Sequence, residues 1–280
     1  MADEPAAGPD RGGPDIIELV SVPGFLAFDM PGAPRPWRSG AKSSSDVLTG
    51  YGVAAAADAA LGAEWGWGWD GRTVAIEGFG KVGGGVAREV IRRGGRVVAV
   101  STVAGCVADP SGLDVELLLA LRREHGDGCV TRYSAPAGPP GQLFTAAADV
   151  VIPGTRPGVI SGKVAGLLPP EVRVVAPAAN APYTAAGAEV LRQRGIMALP
   201  DFVCNAGAVI GYRAARDATP GQILAAVDAR VSELIAGVMG HPDGPLAGAC
   251  AQAAEFLRGW WGEPPQPPFA PLRPPFAPPQ

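Results

Sequence analysis

Strands alternating with helices predict an α/β fold, a doubly wound and mostly parallel sheet with helices on both faces, followed by C-terminal helices. Three observations carry this. Short apolar runs rich in Val and Ile recur at 73–76, 96–100, 149–152, 172–176 and 196–199. Segments with apolar residues at helical spacing lie between them. A glycine turn, Gly78-Phe-Gly-Lys-Val-Gly83, joins the first run to the helix after it.

Residues 1–45 read as irregular, punctuated by Pro and Gly from Pro5 to Pro36. Their one apolar run, 16–22, suits a single strand or a docking segment and not a domain. Ser43-Ser-Ser-Asp46 offers N-caps for a helix over 47–61. Glu64-Trp-Gly-Trp-Gly-Trp69 reads as a loop whose rings either pack on protein or stack on a base. The strand at 73–76 leads through the glycine turn to a helix over 82–93, ended by Gly94-Gly95, and to a second strand at 96–100. Leu113, Leu117, Leu118 and Leu121 give 112–125 a helical stripe. Further on, Thr184 is placed to cap one helix and Asn205 near the start of another. Two terminal helices, 220–239 and 246–261, flank a break at Gly240-His-Pro-Asp-Gly244. The folded domain is thus expected over 46–262. The tail 263–280 repeats Pro-Pro-Phe-Ala-Pro, a composition for polyproline II or disordered chain, read as a solvated tail or a proline-recognition ligand.

Hydrophobic residues make up 47% of the 280, enough for a sizeable core, and a net charge of −4 gives no electrostatic reason to expect nucleic acid or an anionic membrane. The four cysteines form no CxxC pair, so neither a zinc site nor a disulfide framework is expected, which fits a reducing cytoplasm. No apolar run of about 18 residues appears and the acidic N-terminus has no h-region, so no membrane span or signal peptide is expected. His125, at a predicted helix end, suits a dipole-facing cap better than catalysis, and His241 falls in a turn as a solvated residue.

The glycine turn has chemistry of its own. In a chain with 40 glycines a GxGxxG match needs context, and here it follows a predicted strand and opens a predicted helix. Gly78 permits the tight turn, Gly80 lets a pyrophosphate approach the backbone, and Gly83 lets helix pack on strand. The helix N-terminus adds free N–H groups and a positive dipole end for phosphate. The alternative is a glycine-rich turn with no ligand. Lys81 either places a charge beside the phosphates or faces solvent. The second strand ends Val100-Ser-Thr-Val103 with no acid for a ribose 2′-hydroxyl, so NAD and NADP both remain open. This is a Rossmann-like arrangement.

Six stretches in order complete the pattern: Leu48-Thr-Gly-Tyr-Gly-Val53, the Gly78 turn, Gly112-Leu-Asp-Val115, Asp149-Val-Val-Ile-Pro153, Ala178-Ala-Asn-Ala-Pro182 and Pro200-Asp-Phe-Val-Cys-Asn-Ala-Gly207. Across roughly residues 46–215 the series resembles the coenzyme domain of the glutamate/leucine/phenylalanine/valine dehydrogenase family. That family oxidatively deaminates L-amino acids to 2-oxo acids and ammonia, passing hydride to NAD(P). The resemblance implies Thr49 near the nicotinamide carboxamide, Asn180 at the nicotinamide-side ribose, and Asn205 on the carboxamide, which needs the donor and acceptor an Asn supplies. The cofactor-binding candidates are therefore Thr49, Gly78, Phe79, Gly80, Lys81, Val82, Gly83, Thr102, Asn180 and Asn205. No residue is assigned a catalytic or metal-binding role.

The family's catalytic lysine lies in an N-terminal domain, within a Gly-rich motif, with a catalytic acid and a second lysine for the substrate carboxylate. Residues 1–45 match none of this: Lys42 stands in Gly-Ala-Lys-Ser-Ser-Ser, and Asp15 and Asp29 lie outside the acid's motif. The expectation is an amino-acid dehydrogenase-like oxidoreductase whose catalytic half comes from another polypeptide or from upstream sequence. The alternative is a non-catalytic NAD(P)-binding sensor or scaffold. After Asn205, Ala-Val-Ile-Gly-Tyr212 departs from the family pattern and does not supply the hydroxyl that glutamate-type enzymes place near the substrate side chain. The expected ligands are the dinucleotide and a small amino acid. An oligomer is compatible with the sequence but not derivable from it.

Overall fold

The computed structural model describes residues 44–134, 136–215 and 217–261. The irregular segment before Ser44, with its 16–22 run and Lys42, and the proline-rich tail lie outside the described residues.

Six strands form one sheet in the order β3-β2-β1-β4-β5-β6. They are β1 Thr73–Glu77, β2 Arg96–Thr102, β3 Gly105–Ala108, β4 Val150–Pro153, β5 Val174–Val175 and β6 Met197–Ala198. Every pairing is parallel except β2 with β3. Val74 pairs with Val97 on one side and Val150 on the other, and Ile76 with Val100 and Ile152.

Successive strand residues face opposite sides of a sheet, so a strand covered on both faces must be apolar throughout. Val74, Ile76, Val150 and Ile152 join one core, with Val53, Val86, Val90, Leu118, Val227 and Ile235. Ala75, Val151 and Val175 join a second core, with Leu143, Phe144, Ala165, Leu191 and Leu246. The first core is roofed by α1 Ser44–Trp65, α2 Lys81–Arg92, α3 Val115–His125 and α9 Pro220–Met239. The second lies under the 3₁₀ turn Pro140–Thr145, α5 Gly162–Leu167, α6 Ala185–Gln193 and the start of α10 Pro245–Trp261. Three short helices complete the set: α4 Cys129–Arg132, α7 Asp201–Cys204 and α8 Gly207–Tyr212. The expected doubly wound sheet is the one observed.

The differences have local causes. Helix α1 runs past position 61 because its alanine-rich stretch continues to Gly66, which takes φ +68° and donates its N–H to the Gly62 carbonyl at 3.0 Å. Strand β2 extends to Thr102, and β3, an antiparallel edge strand not expected from the sequence, returns along it with Thr102 opposite Gly105. Strands β5 and β6 shrink to two residues each. Their ladders continue as single bonds from Ala176 to Val151 and from Leu199 to Val175, then meet Pro177 and Pro200, which lack a donor. Thr184 caps α6, its hydroxyl accepting from the Gly187 N–H at 3.0 Å, whereas Asn205 sits at the junction of α7 and α8.

The loop tryptophans at 65, 67 and 69 pack on protein. Trp69 is buried and its indole N–H donates to the Ala54 carbonyl at 2.9 Å. Trp65 and Trp67 stack at 5.4 Å, and the Arg72 guanidinium lies 4.5 Å from the Trp67 ring centre. They precede β1, at the end of the sheet away from the glycine turn. His241 is half-buried and not fully solvated: it packs against Gly248, and its Nδ1 accepts from the Asp243 N–H at 3.1 Å.

Beneath α1, Arg93 ties three helices. It pairs at 2.7 Å with Asp58 of α1 and at 2.7 Å with Glu89 of α2, and it also pairs with Asp228 of α9. Burial works against the Arg93 charge, but hydrogen bonds to Asp228, Glu89 and Asp58 outweigh it and raise the pKa.

Candidate functional site

Strand order reverses between β1 and β4, and in open α/β sheets ligands bind beyond the carboxyl ends of strands at such a switch point. The glycine turn leaves β1 at this place. Gly78 holds φ +87°, donates its N–H to the Ser101 carbonyl at 3.0 Å, and has no room for a side chain, since a Cβ would lie 2.9 Å from Thr155 Cγ2. At Gly83 a Cβ would lie 2.0 Å from the Gly78 carbonyl oxygen, so α2 presses directly on the turn. Gly80 differs. It is the N-cap of α2 with no side-chain cap, and a Cβ there would meet nothing within 4 Å. The N-terminus of α2 therefore has open space beside its N-cap, the room an anion at a helix N-terminus requires.

The other turn residues are spread between core and solvent. Phe79 is buried, so its backbone alone belongs to the turn, and Val82 is half-buried. Lys81 is exposed with its Nζ 3.5 Å from Asp46 of α1, so its charge is shared with a carboxylate. Thr102 ends β2 as expected but is buried. Its hydroxyl donates to the Asp127 carbonyl at 2.6 Å and accepts from the Ala104 N–H at 3.2 Å, which fixes the β2–β3 turn.

Helix α1 reaches the site by backbone contact. A Cβ on Gly50 would stand 2.8 Å from both Val82 O and Val86 N, one on Gly52 3.0 Å from Cys204 O, and one on Gly207 1.9 Å from Leu48 O. The glycines of Leu48-Thr-Gly-Tyr-Gly-Val53 thus let α1 lie against α2 on one side and the α7–α8 junction on the other. Thr49 sits where these three segments meet.

Asn180 and Asn205 are brought together. The Asn205 amide donates to Asn180 Oδ1 at 2.6 Å. One residue holds both: the Asp201 carboxylate accepts from the Ala181 N–H at 2.6 Å, and its carbonyl accepts from the Asn205 N–H at 2.9 Å. Burial raises the Asp201 pKa, although hydrogen bonds from Ala181, Phe202 and its own N–H oppose the shift. Ala181 takes φ 46°, a left-handed conformation that L side chains resist.

Two carboxylates escaped sequence reasoning. Besides Asp201, Glu77 is buried at the end of β1, where its carboxylate accepts from the Gly154 N–H at 3.2 Å and the Thr155 hydroxyl at 2.6 Å. An acid ending an otherwise apolar strand was the only signal. A cleft of about 280 Å³ between α2 and α3, lined by Arg88, Ile91 and Leu113 among others, includes none of the candidate residues. Among the described residues no three His, Cys, Asp or Glu side chains group as a metal site, and no helix is long and apolar enough to cross a membrane.

Residues 40–213 match the profile of the glutamate/leucine/phenylalanine/valine dehydrogenase family. The chain is 33% identical over 181 residues to a glutamate dehydrogenase of Aeropyrum pernix, covering 63% of this chain and 41% of that protein. It is 40% identical over 137 residues to glutamate dehydrogenase A2 of Halobacterium salinarum, covering 49% of this chain and 32% of the relative. The hetero-hexameric glutamate dehydrogenase of Thermus thermophilus, in a Leu-bound form, superposes with a TM-score of 0.67 at 26% identity, over 76% of this chain and 52% of that one. L-Tryptophan dehydrogenase of Nostoc punctiforme shares the fold, with a TM-score of 0.56 at 20% identity, over 76% of this chain and 61% of that one. The chain spans less than half the length of the two curated relatives.

Proposed function

This chain belongs to the glutamate/leucine/phenylalanine/valine dehydrogenase family, and from that premise we propose that its switch-point crevice binds NAD or NADP for amino-acid dehydrogenase chemistry. The observation that carries the reading is Gly80: an uncapped helix N-terminus with open space at its N-cap, at the carboxyl edge of β1. The backbone of residues 78–83 holds the pyrophosphate. Thr49 and Asn205 face the nicotinamide carboxamide, and Asn180 faces the adjoining ribose. No side-chain carboxylate of β2 stands at its end to repel a 2′-phosphate, so both cofactors are accommodated. The bound dinucleotide supplies hydride acceptance; the chain's own residues bind and orient it.

In this reading the reaction is the oxidative deamination of an L-amino acid to a 2-oxo acid in the cytoplasm, with the substrate-binding lysine half supplied by other sequence. One observation favours a second reading, a non-catalytic dinucleotide-binding sensor or scaffold. The lysines of residues 44–261 are Lys81, paired with Asp46, and Lys163, exposed on α5. Titrating NADH and NADPH against tryptophan fluorescence tests the shared claim, and saturable quenching by at least one is expected. Assaying NAD(P) reduction with leucine, phenylalanine, valine and glutamate separates the two readings. Turnover by this chain alone contradicts the need for a separate lysine half.

A further inference from the structure

The loop after β4 bridges the two halves of the crevice. At its start, Gly154 and Thr155 are held by the Glu77 carboxylate at 3.2 and 2.6 Å, and Thr155 packs against Gly78 of the glycine turn. At its end, the Gly158 N–H donates to the Ala181 carbonyl at 2.9 Å, next to Asn180. Arg156 lies between these anchors. It is exposed, and among the described residues it makes no ion pair or hydrogen bond. The nearby Lys81 of the glycine turn has its Nζ 3.5 Å from Asp46, so its charge is shared with a carboxylate.

We propose that Arg156 is an anion-binding residue of the crevice and that it takes the pyrophosphate of the dinucleotide. The assignment rests on the cofactor reading above. A guanidinium offers a planar fork of N–H donors that meets phosphate oxygens in pairs, and it stays charged at every working pH. The loop is pinned within two residues on either side of Arg156, so little backbone freedom is lost on binding. The glycine turn supplies N–H groups on one lip of the crevice, and Arg156 supplies a full charge on the other.

Calorimetric titrations of NADH and ADP-ribose into wild type, R156A and R156K test this. ADP-ribose keeps the pyrophosphate and lacks the nicotinamide. R156A is expected to weaken both ligands by a similar factor, about tenfold, with an unchanged melting midpoint and a shallower salt dependence. R156K, which keeps the charge and loses the fork, is expected to fall between. Unchanged affinity for both ligands in R156A overturns the assignment while wild-type binding leaves the cofactor reading standing. Loss confined to amino-acid or 2-oxo-acid binding, with ADP-ribose unaffected, also overturns it and assigns Arg156 to a substrate carboxylate. Failure of wild type to bind either ligand sinks the cofactor reading and this assignment together.

Discussion

Asn205 donates its side-chain amide to Asn180 Oδ1 at 2.6 Å, joining the loop after β5 to the α7–α8 junction. The bond engages one donor and one acceptor. That bond leaves Asn205 Oδ1 and the Asn180 amide hydrogens uncommitted to each other, an acceptor and a donor in reserve. Asp201 sets the spacing by holding the Ala181 and Asn205 N–H groups at once.

Removing the Asn205 amide should therefore act on the nicotinamide end alone. N205A is expected to weaken NADH by about fivefold to tenfold, the loss of a hydrogen bond of about 1 kcal/mol. ADP-ribose, which keeps the ribose that Asn180 faces, should weaken by clearly less. Equal losses for both ligands would place Asn205 elsewhere.

Ala181 carries a strain that glycine would relieve. Left-handed backbone costs a non-glycine residue about 1–2 kcal/mol, and glycine returns about 0.5–1 kcal/mol of that through unfolded-chain entropy. A181G should raise stability by about 0.5–1 kcal/mol and the melting midpoint by about 1–4 °C. A lower midpoint in scanning calorimetry would count against the strained geometry.

The Arg93 cluster makes the opposite prediction. R93M leaves Asp58 and Asp228 without this cation and Glu89 with Arg92 alone. A loss of about 3 kcal/mol is expected, read as a lower urea midpoint at unchanged slope. Adding D58N and D228N should restore part of it.

Alkaline pH should destabilise the fold through its thiols. Burial pushes Cys106 from 9.0 up to about 11. A raised acid pKa favours the folded state while the thiol is protonated, so this stability is complete below pH 9.0 and lost as pH climbs through about 11. For Cys106 the full loss is about 3 kcal/mol. Urea midpoints at pH 8 and 10.5 should differ by more in wild type than in C106A.

The parallel strands were legible because Val74-Ala-Ile76 and Val150-Val-Ile152 are covered on both faces and must be apolar throughout. Strand β3 was not, since Gly105–Ala108 is four residues long and owes its place to pairing with β2. At the site, the glycine turn declared itself through spacing and context. The asparagine pair was accessible only through family resemblance, because nothing local joins positions 25 residues apart. Glu77, Asp201 and Arg156 stayed hidden for the same reason: Glu77 finds its partners 77 and 78 positions away. Thr102 stands where expected, but its hydroxyl is committed to Asp127 and Ala104.

The central claim, that the glycine turn is a dinucleotide site and not a structural turn, is tested most directly by titrating NADH and NADPH into wild type, G80A and G83A while following their melting. Gly80 has open space and Gly83 has none. The expected result is saturable binding to wild type, a loss of at least about tenfold in G80A with only the small midpoint drop of an N-cap Gly→Ala change, and a much larger drop in G83A. Wild type that binds neither nucleotide, or G80A that binds as tightly as wild type, would contradict the claim.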